Sequence, residues 1–496
     1  MAPEFSKPLS TRETPIPGVV LLDLPVHGDN RGWFKENWQR EKMTAAGLPD
    51  FGPVQNNISF NGTRGTTRGI HAEPWDKFVS VATGRVFGAW VDLREGPSFG
   101  AVFTAELDPS TAIFVPRGVG NAFQTLEDAT AYTYLVNDHW SADAQDQYVF
   151  LNLADETAAV EWPIPLDGAE VSDKDRTHPR LTDIEPVPAR KTLVVGADGR
   201  LGRALRTALA DQPSVEFAGR PELDLLHPDL EHARPWADYS TVINAAAYTA
   251  VDAAETPEGR AAAWAVNVAG VAALARVATA HRLTLVHLSS DYVFDGSRET
   301  HDESEPFSPL GVYGQTKAAG DAVVATVPRH YILRTSWVIG DGGNFVRTMV
   351  ELAARGISPA VVDDQIGRLT FTEDLAAAIT HLVDTGAPFG TYNVSNDGEP
   401  QSWAAIAADV YALCGRDRAD VAPVSTEEYV AGKEAAPRPR RSTLDLRKLR
   451  ATGFAPPPAA QRLADCVQAL TAEARPAAVE GTATPQADPA DRAGAR

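Results

Sequence analysis

The chain has 496 residues, more than a single hydrophobic core of about 250 to 300 residues accommodates, so at least two domains are expected. A hydrophobic share of 44% and a charged share of 22% are those of an ordinary soluble globular protein, and no apolar run approaches the ~18 to 20 residues of a membrane span. The formal charge of −21 repels nucleic acid and anionic lipid alike, leaving small molecules as expected partners, because local arginines can still hold a small anion.

The N-terminus, MAPEFSKPLSTRETPIPG, has no apolar stretch behind a basic start and too many prolines for a transit helix, which points to the cytoplasm. FVSVATGRVFGAWVDL, AVFTAEL, TAIFVP and ATAYTYLVN then follow as short β-rich runs between turn signals, the pattern of a jelly roll, sandwich or barrel. Prolines and charges break every periodicity near residues 178–190, which separates a β domain over 1–180, through a linker at 181–190, from a second domain over 191–471. In that second domain TLVVGA, TVINAAA, LTLVHLSS and HYILRTS alternate with Ala-rich helical stretches, as in a doubly wound α/β domain of Rossmann type with a parallel sheet. Residues 472–496 offer almost nothing to bury and are expected to be disordered. Cys414 and Cys466 are too few for a disulfide framework or a metal knuckle, so both read as small buried hydrophobes and no metal site is expected.

The chemistry of the rear domain begins at GADGRLG, where Gly196, Gly199 and Gly202 follow a strand and open a helix. Such a turn brings backbone amides close to a pyrophosphate, although glycines there also arise for packing alone. Gly219 and Arg220 stand where an acid for the ribose hydroxyls is usual, and an arginine there can neutralise a 2′-phosphate, so NADPH is favoured over NADH. Ala245 and Ala246 allow close cofactor approach at a strand end. Tyr313 and Lys317, four apart, share a helical face on which the ammonium is expected to lower the phenol's pKa, while Ser290 polarises the same carbonyl oxygen.

The collinear series GADGRLG, ELDL, NAAAYTAVDAAE, SSDYVFDG, VYGQTKAAG, LRTSWVIG, NFV, VVDDQIG and STLD resembles the extended short-chain dehydrogenases, specifically the dTDP-4-dehydrorhamnose reductases, over about Lys191 to Leu470. The resemblance implies a small substrate-binding lobe, catalysis by Ser290, Tyr313 and Lys317, and cofactor contacts from Gly196, Gly199, Leu201, Gly202, Arg220, Asp224, Ala245, Ala246, Tyr313 and Lys317. It also implies substrate contacts from Asp291, Trp337, Asn344 and Gln365. Arg368 stands in QIGRLT where the family has a smaller residue, as an extra phosphate or solvent contact.

In the front domain Arg68, His71 and Lys77 crowd into RGTTRGIHAEPWDKFVSV. A lone strand histidine is usually structural, but one with an arginine three residues before it and a lysine six after reads as chemical. DNRGWFKENW, VQNNIS, TRGIH, FVPRGVGNAF, AYTYLV and SDKD together resemble the dTDP-4-dehydrorhamnose 3,5-epimerases and their cupin-like jelly roll, over roughly Ile16 to Leu181. By that resemblance His71 is the base, Asp175 its orienting partner, Tyr134 the acid and Lys77 the stabiliser of an enolate oxygen. Arg31, Glu36, Gln55, Arg68 and Asn121 would contact the dTDP-sugar, and a homodimer is implied. Asn121 stands where the family commonly has histidine.

The expectation is therefore a bifunctional enzyme that epimerises and then reduces a dTDP-4-keto-6-deoxyhexose to dTDP-L-rhamnose. Asn121 and Arg368 keep open another dTDP-deoxysugar, or a front domain that acts at one carbon or only binds. A sensor with dead sites would have no need of the proton donor Tyr313.

Overall fold

The computed structural model describes residues 5–139 and 147–473. Contacts divide the chain between Ala189 and Arg190 into two compact units. Most of the tail expected from residue 472 onward lies outside the described residues, and a helix, Ala459–Glu473, runs into its first two positions.

The front unit is two antiparallel sheets face to face. One sheet orders its strands Ser10–Glu13, Val20–Asp23, Thr111–Val115, Lys77–Thr83, Thr130–Val136 and Gln55–Asn61. The other runs Val149–Phe150, Thr66–Ala72, Val119–Thr125, Val86–Asp92 and Val102–Leu107, with Glu170–Val171 alongside Thr66–Ala72. Alternation along each strand turns one set of side chains inward. Val79, Val81 and Ile113 from the first sheet thus meet Val86, Trp90 and Phe123 from the second in one buried cluster. This is a cupin-like jelly roll, with a small hairpin, Val26–Asp29 and Gly32–Lys35, standing apart from both sheets.

The rear unit is built on a six-stranded parallel sheet ordered Val215–Ala218, Lys191–Val195, Tyr239–Asn244, Thr284–Ser290, His330–Thr335 and Gly390–Val394. Helices cover both faces. Leu193 and Val195 pack with Val271, Leu274 and Val277 on one side, while Val194 packs with Leu205, Leu375 and Ile379 on the other. Strand order reverses beside Lys191–Val195, so the crevice at its carboxyl end is where a parallel sheet of this kind accepts a ligand. A smaller lobe packs helices Phe345–Ala354, Trp403–Leu413 and Ala459–Glu473 around Val346, Val410 and Val467, and Cys414 and Cys466 sit half-buried at its edge with free thiols pushed up by burial.

One helix corrects the expectation about apolar length. Pro257–Ala280 is, by length and composition, sufficient to cross a membrane. Its apolar side chains instead meet the sheet: Val271, Leu274, Val277 and Ala278 share a buried cluster with Val242 and Leu285. Alanine-rich spacing hides such a segment from a search for unbroken apolar runs.

Candidate active sites

In the front unit a cavity of about 900 Å³ opens between the two sheets. Arg68 and His71 lie on the strand Thr66–Ala72, and three residues apart they would face opposite sides of a regular strand. Here His71 pairs with Asn121 and Arg68 with Phe123, so three steps on one strand match two on its neighbour. That bulge turns both side chains into the cavity. Gly69 sits in the bulge at φ +119°, and a Cβ there would come within 2.5 Å of the Ala122 side chain, so no other residue fits.

Gly69 also supplies a contact. Its N–H donates to Asp175 Oδ2 at 3.3 Å, while Asp175 Oδ1 lies 3.0 Å from His71 Nε2. Asp175 comes from the short helix Asp173–Arg176, capped by Ser172, whose hydroxyl accepts the Asp175 N–H. Burial raises the Asp175 carboxyl, but the His71 hydrogen bond and charge and the Gly69 amide outweigh it and hold the group below the usual carboxylate range. An ionised carboxylate on Nε2 leaves Nδ1 as the imidazole nitrogen free to take a proton.

The opposite sheet contributes Tyr134, from Thr130–Val136, and Lys77, from the start of Lys77–Thr83. Burial, with the Glu73 charge, pushes the Tyr134 phenol up to about 12, so it holds its proton at neutral pH. Lys77 is 3% exposed and pairs with Glu73 at 2.9 Å. Glu73 also accepts from Trp75 Nε1 at 2.5 Å. Asn121 lines the cavity with its Oδ1 committed, accepting from Trp90 Nε1 at 2.8 Å and the Tyr132 hydroxyl at 3.0 Å. Two residues escape motif reading: Glu73, whose pairing needs the strand geometry, and His178, which stacks on Phe150 at 4.7 Å and stands 3.9 Å from Asp175. His71, Asp175 and His178 each bring a ligand-type atom within 4.8 Å of the others, so a divalent ion would have to displace the His71–Asp175 hydrogen bond to sit there.

Arg31, Glu36 and Gln55 are not among the residues lining this cavity. Arg31 stands on the isolated hairpin, paired with Asp29 and 84% exposed. Glu36 pairs with Lys42, and Gln55 donates to Asn57 Oδ1 at 2.8 Å on an outer strand. The edge strand that carries Gln55 reaches the cavity through Ser59, four residues on, whereas Arg31 is held out on the hairpin.

In the rear unit Gly196 ends the first strand at φ +78°, and a Cβ on it would come within 2.7 Å of the Ala246 backbone. A Cβ on Gly202 would come within 2.4 Å of the Gly196 carbonyl. The turn therefore packs backbone on backbone, at the N-terminus of Arg200–Ala208, which Gly199 caps without a side-chain bond and in which Leu201 is buried. Those unpartnered amides fit the diphosphate of a dinucleotide. Ala245 and Ala246 form the facing wall, bonded to Val195 O and Asn244 Oδ1. Arg220 is 78% exposed and pairs with Asp224 at 3.1 Å, leaving its outer nitrogens for an anion.

Ser290 ends the strand Thr284–Ser290, and Tyr313 and Lys317 lie on the helix Val312–Val324. The Tyr313 hydroxyl hydrogen-bonds Ser290. The expected lowering of the phenol by the ammonium is not what this arrangement produces. Burial, then the Asp291 carboxyl, push Tyr313 up, while Lys317 Nζ donates to the Leu288 carbonyl at 2.6 Å and is itself depressed to about 8 by burial.

A cavity of only about 10 Å³, room for about one water, touches Tyr313, and segment 436–439 closes it. Asp252 holds that segment through the Ala436 N–H at 3.0 Å and Arg438 at 2.9 Å. Trp337, Asn344 and Gln365 do not line this space. Trp337 stacks on Trp403 at 3.8 Å; Asn344 caps Phe345–Ala354 and donates to Gly340 O; Gln365 is buried and donates to Thr426. Asp291 is buried behind Ser290. Arg368 donates to the Gly398 and Leu444 carbonyls through Nε and Nη1.

Comparison with known proteins matches the two units separately. The family described as dTDP-4-dehydrorhamnose 3,5-epimerase matches residues 13–183, and the RmlD substrate binding domain family matches residues 190–472. A protein from Streptococcus pyogenes named as an RmlC homolog is 51% identical over 189 residues, 37% of this chain and 95% of the relative. A dTDP-4-dehydrorhamnose reductase from Streptomyces griseus is 40% identical over 288 residues, 55% of this chain and 91% of the relative. Among solved structures, a dTDP-4-dehydrorhamnose reductase from Bacillus anthracis in complex with NADP is 33% identical, covers 57% of this chain and 99% of its own, and superposes with a TM-score of 0.52. The chain thus belongs to the dTDP-4-dehydrorhamnose 3,5-epimerase family over its front unit and to the RmlD reductase family over its rear unit.

Proposed function

We propose that the chain is a bifunctional enzyme of dTDP-L-rhamnose synthesis. Its front unit epimerises dTDP-4-dehydro-6-deoxy-D-glucose at C3 and C5, and its rear unit reduces the resulting 4-keto sugar with NADPH. The observation that carries the reading is the presence on one chain of a base dyad facing a protonated phenol across a sugar-sized cavity, and of a Ser-Tyr-Lys constellation beside a dinucleotide turn.

In the front unit His71, oriented by Asp175, takes the acidic proton beside the ketone through Nδ1. The Lys77 ammonium faces the enolate oxygen that develops, where a desolvated charge acts most strongly. Tyr134, on the other sheet, returns a proton to the opposite face, which inverts the centre. Arg68 offers a cation for the diphosphate. In the rear unit Gly196, Gly199, Leu201, Gly202, Ala245 and Ala246 hold the dinucleotide, and Arg220 beside Asp224 takes the 2′-phosphate. Bound NADPH supplies the hydride. Tyr313 gives its proton to the ketone oxygen, Ser290 hydrogen-bonds the same oxygen, and Lys317 fixes the geometry of the helix face. Epimerisation comes first because reduction removes the ketone that acidifies the neighbouring protons.

Assembly as a homodimer in the cytoplasm fits the same reading. Trp33, Phe34, Ile58 and Phe60 are exposed on the hairpin and outer strand, and pairing of that face would cover them. Arg31 and Gln55 lie on the same hairpin and outer strand.

Tyr313→Phe separates the two activities. It is expected to abolish NADPH oxidation and leave solvent deuterium exchange at C3 and C5 intact; loss of both, or of neither, would refute the division of labour.

A further inference from the structure

We infer that Asp291 is the proton donor behind Tyr313, acting through the Ser290 hydroxyl; this rests on the reductase reading above. A serine hydroxyl has one hydrogen to give. Ser290 Oγ accepts the Tyr292 N–H at 3.2 Å and stands 2.9 Å from Asp291 Oδ1, with the Tyr313 hydroxyl as its third neighbour. If Asp291 is ionised, Ser290 must point its hydrogen at the carboxylate and has none for a ketone or for Tyr313. If Asp291 carries the proton, the carboxylic acid donates to Ser290 Oγ, and the serine hydrogen turns toward the reacting oxygen.

The surroundings shift Asp291 toward the neutral acid. Asp291 is 4% exposed, and its side-chain hydrogen bonds are to the neutral hydroxyls of Ser290 and Ser442. An ionised carboxylate left in that way is costly, and a neutral one much less so. The groups facing it are Tyr313 from the helix Val312–Val324, Tyr292 beside it, Ser442, and His301, which is occupied by Glu305 at 3.0 Å. Arg438 reaches Tyr292 and Asp252 rather than Asp291, and Lys317 is committed to the Leu288 carbonyl. No lysine or arginine among the described residues is hydrogen-bonded to this carboxyl. Burial lifts it to about 6 despite the Ser290 and Ser442 hydroxyls.

The step balances. Hydride adds to the carbonyl carbon, and the C=O π pair moves to oxygen, which takes the Tyr313 proton. The phenolate takes the Ser290 proton, Ser290 takes the Asp291 proton, and the carboxylate is recharged by water after product leaves. One hydride and one proton are consumed per ketone.

The test uses the full chain with dTDP-4-keto-6-deoxyglucose and NADPH, following nicotinamide absorbance between about pH 5 and about pH 8. Wild-type turnover is expected to fall as pH rises past the carboxyl's value in the complex. Asp291→Asn, which can still donate a hydrogen bond but cannot release a proton, is expected to lose that slope and to run at least ~10-fold slower at low pH, with NADPH affinity and front-unit deuterium exchange unchanged. A flat wild-type profile overturns the inference, as does a variant that keeps the wild-type rate, with or without the slope. Should the variant not fold, the wild-type solvent isotope effect decides: a curved dependence on deuterium fraction supports a relay, and a linear one overturns it. Absence of any NADPH oxidation by the wild type would instead defeat the reductase reading itself.

Discussion

Replacing Asp175 with asparagine probes the front site at its narrowest point. Asp175 accepts from His71 Nε2 at 3.0 Å and from the Gly69 amide at 3.3 Å, and the asparagine keeps the size while removing the charge. A hydrogen bond to a charged group contributes ~1.5 to 3 kcal/mol, and about 1.4 kcal/mol is tenfold in rate. If that interaction strengthens as His71 takes its proton, the variant slows exchange by about 10- to 150-fold. The assay is loss of the C3 and C5 proton signals of dTDP-4-keto-6-deoxyglucose in deuterium oxide by NMR. Stability follows with a definite sign: the folded carboxyl sits below its ordinary value, so its contribution is present above the unfolded value near ~3.9 and is lost as pH falls through the folded one. The variant and the wild type should differ in unfolding midpoint at neutral pH and converge in acid. Exchange at the wild-type rate would refute the role of Asp175.

Three further outcomes follow from the geometry. Lys317 is depressed to about 8 by burial, so the folded chain binds fewer protons than the unfolded one from about pH 8 up to the ordinary lysine value, and stability rises across that window. Lys317→Met should raise the calorimetric midpoint of the ligand-free rear unit at neutral pH and abolish NADPH oxidation. Arg220→Ala, at a 78% exposed side chain, should move stability by no more than ~0.5 kcal/mol yet raise KM for NADPH by about 10-fold or more while sparing NADH, as read from steady-state kinetics with both cofactors. Asn121→Leu orphans the buried Trp90 and Tyr132 donors at ~1 to 3 kcal/mol each and should lower the denaturant midpoint of the front unit by tryptophan fluorescence.

The parallel sheet and its dinucleotide turn were readable because glycine, strand and helix signals coincide over a few residues, and Gly196 and Gly202 leave no room for a Cβ. The jelly roll was readable from alternation and turn spacing. What escaped was whatever depends on register. Arg68 and His71 share a cavity only through the bulge at Gly69, and Lys77 meets Glu73 only once the strands are laid out. Motif resemblance also says nothing of the partners that the fold gives a side chain: the Asn344 amide caps a helix and donates to Gly340 O, and the Gln365 amide donates to Thr426. Arg31, Glu36 and Gln55 are not among the residues that line the cavity, although Ser59 on the strand of Gln55 is. The phenol at Tyr313 shows a different limit, since pattern places a lysine beside it and only the folded environment shows that burial pushes it up.

In the proposed function one chain inverts two carbons and then reduces the ketone between them. It is tested most directly by supplying the full chain with dTDP-4-keto-6-deoxyglucose and NADPH in deuterium oxide and determining the product by NMR. The expected product is dTDP-L-rhamnose bearing solvent deuterium at both C3 and C5, with one NADPH consumed per sugar. A reduced sugar that keeps the original configuration and its own protons at C3 and C5 would contradict it.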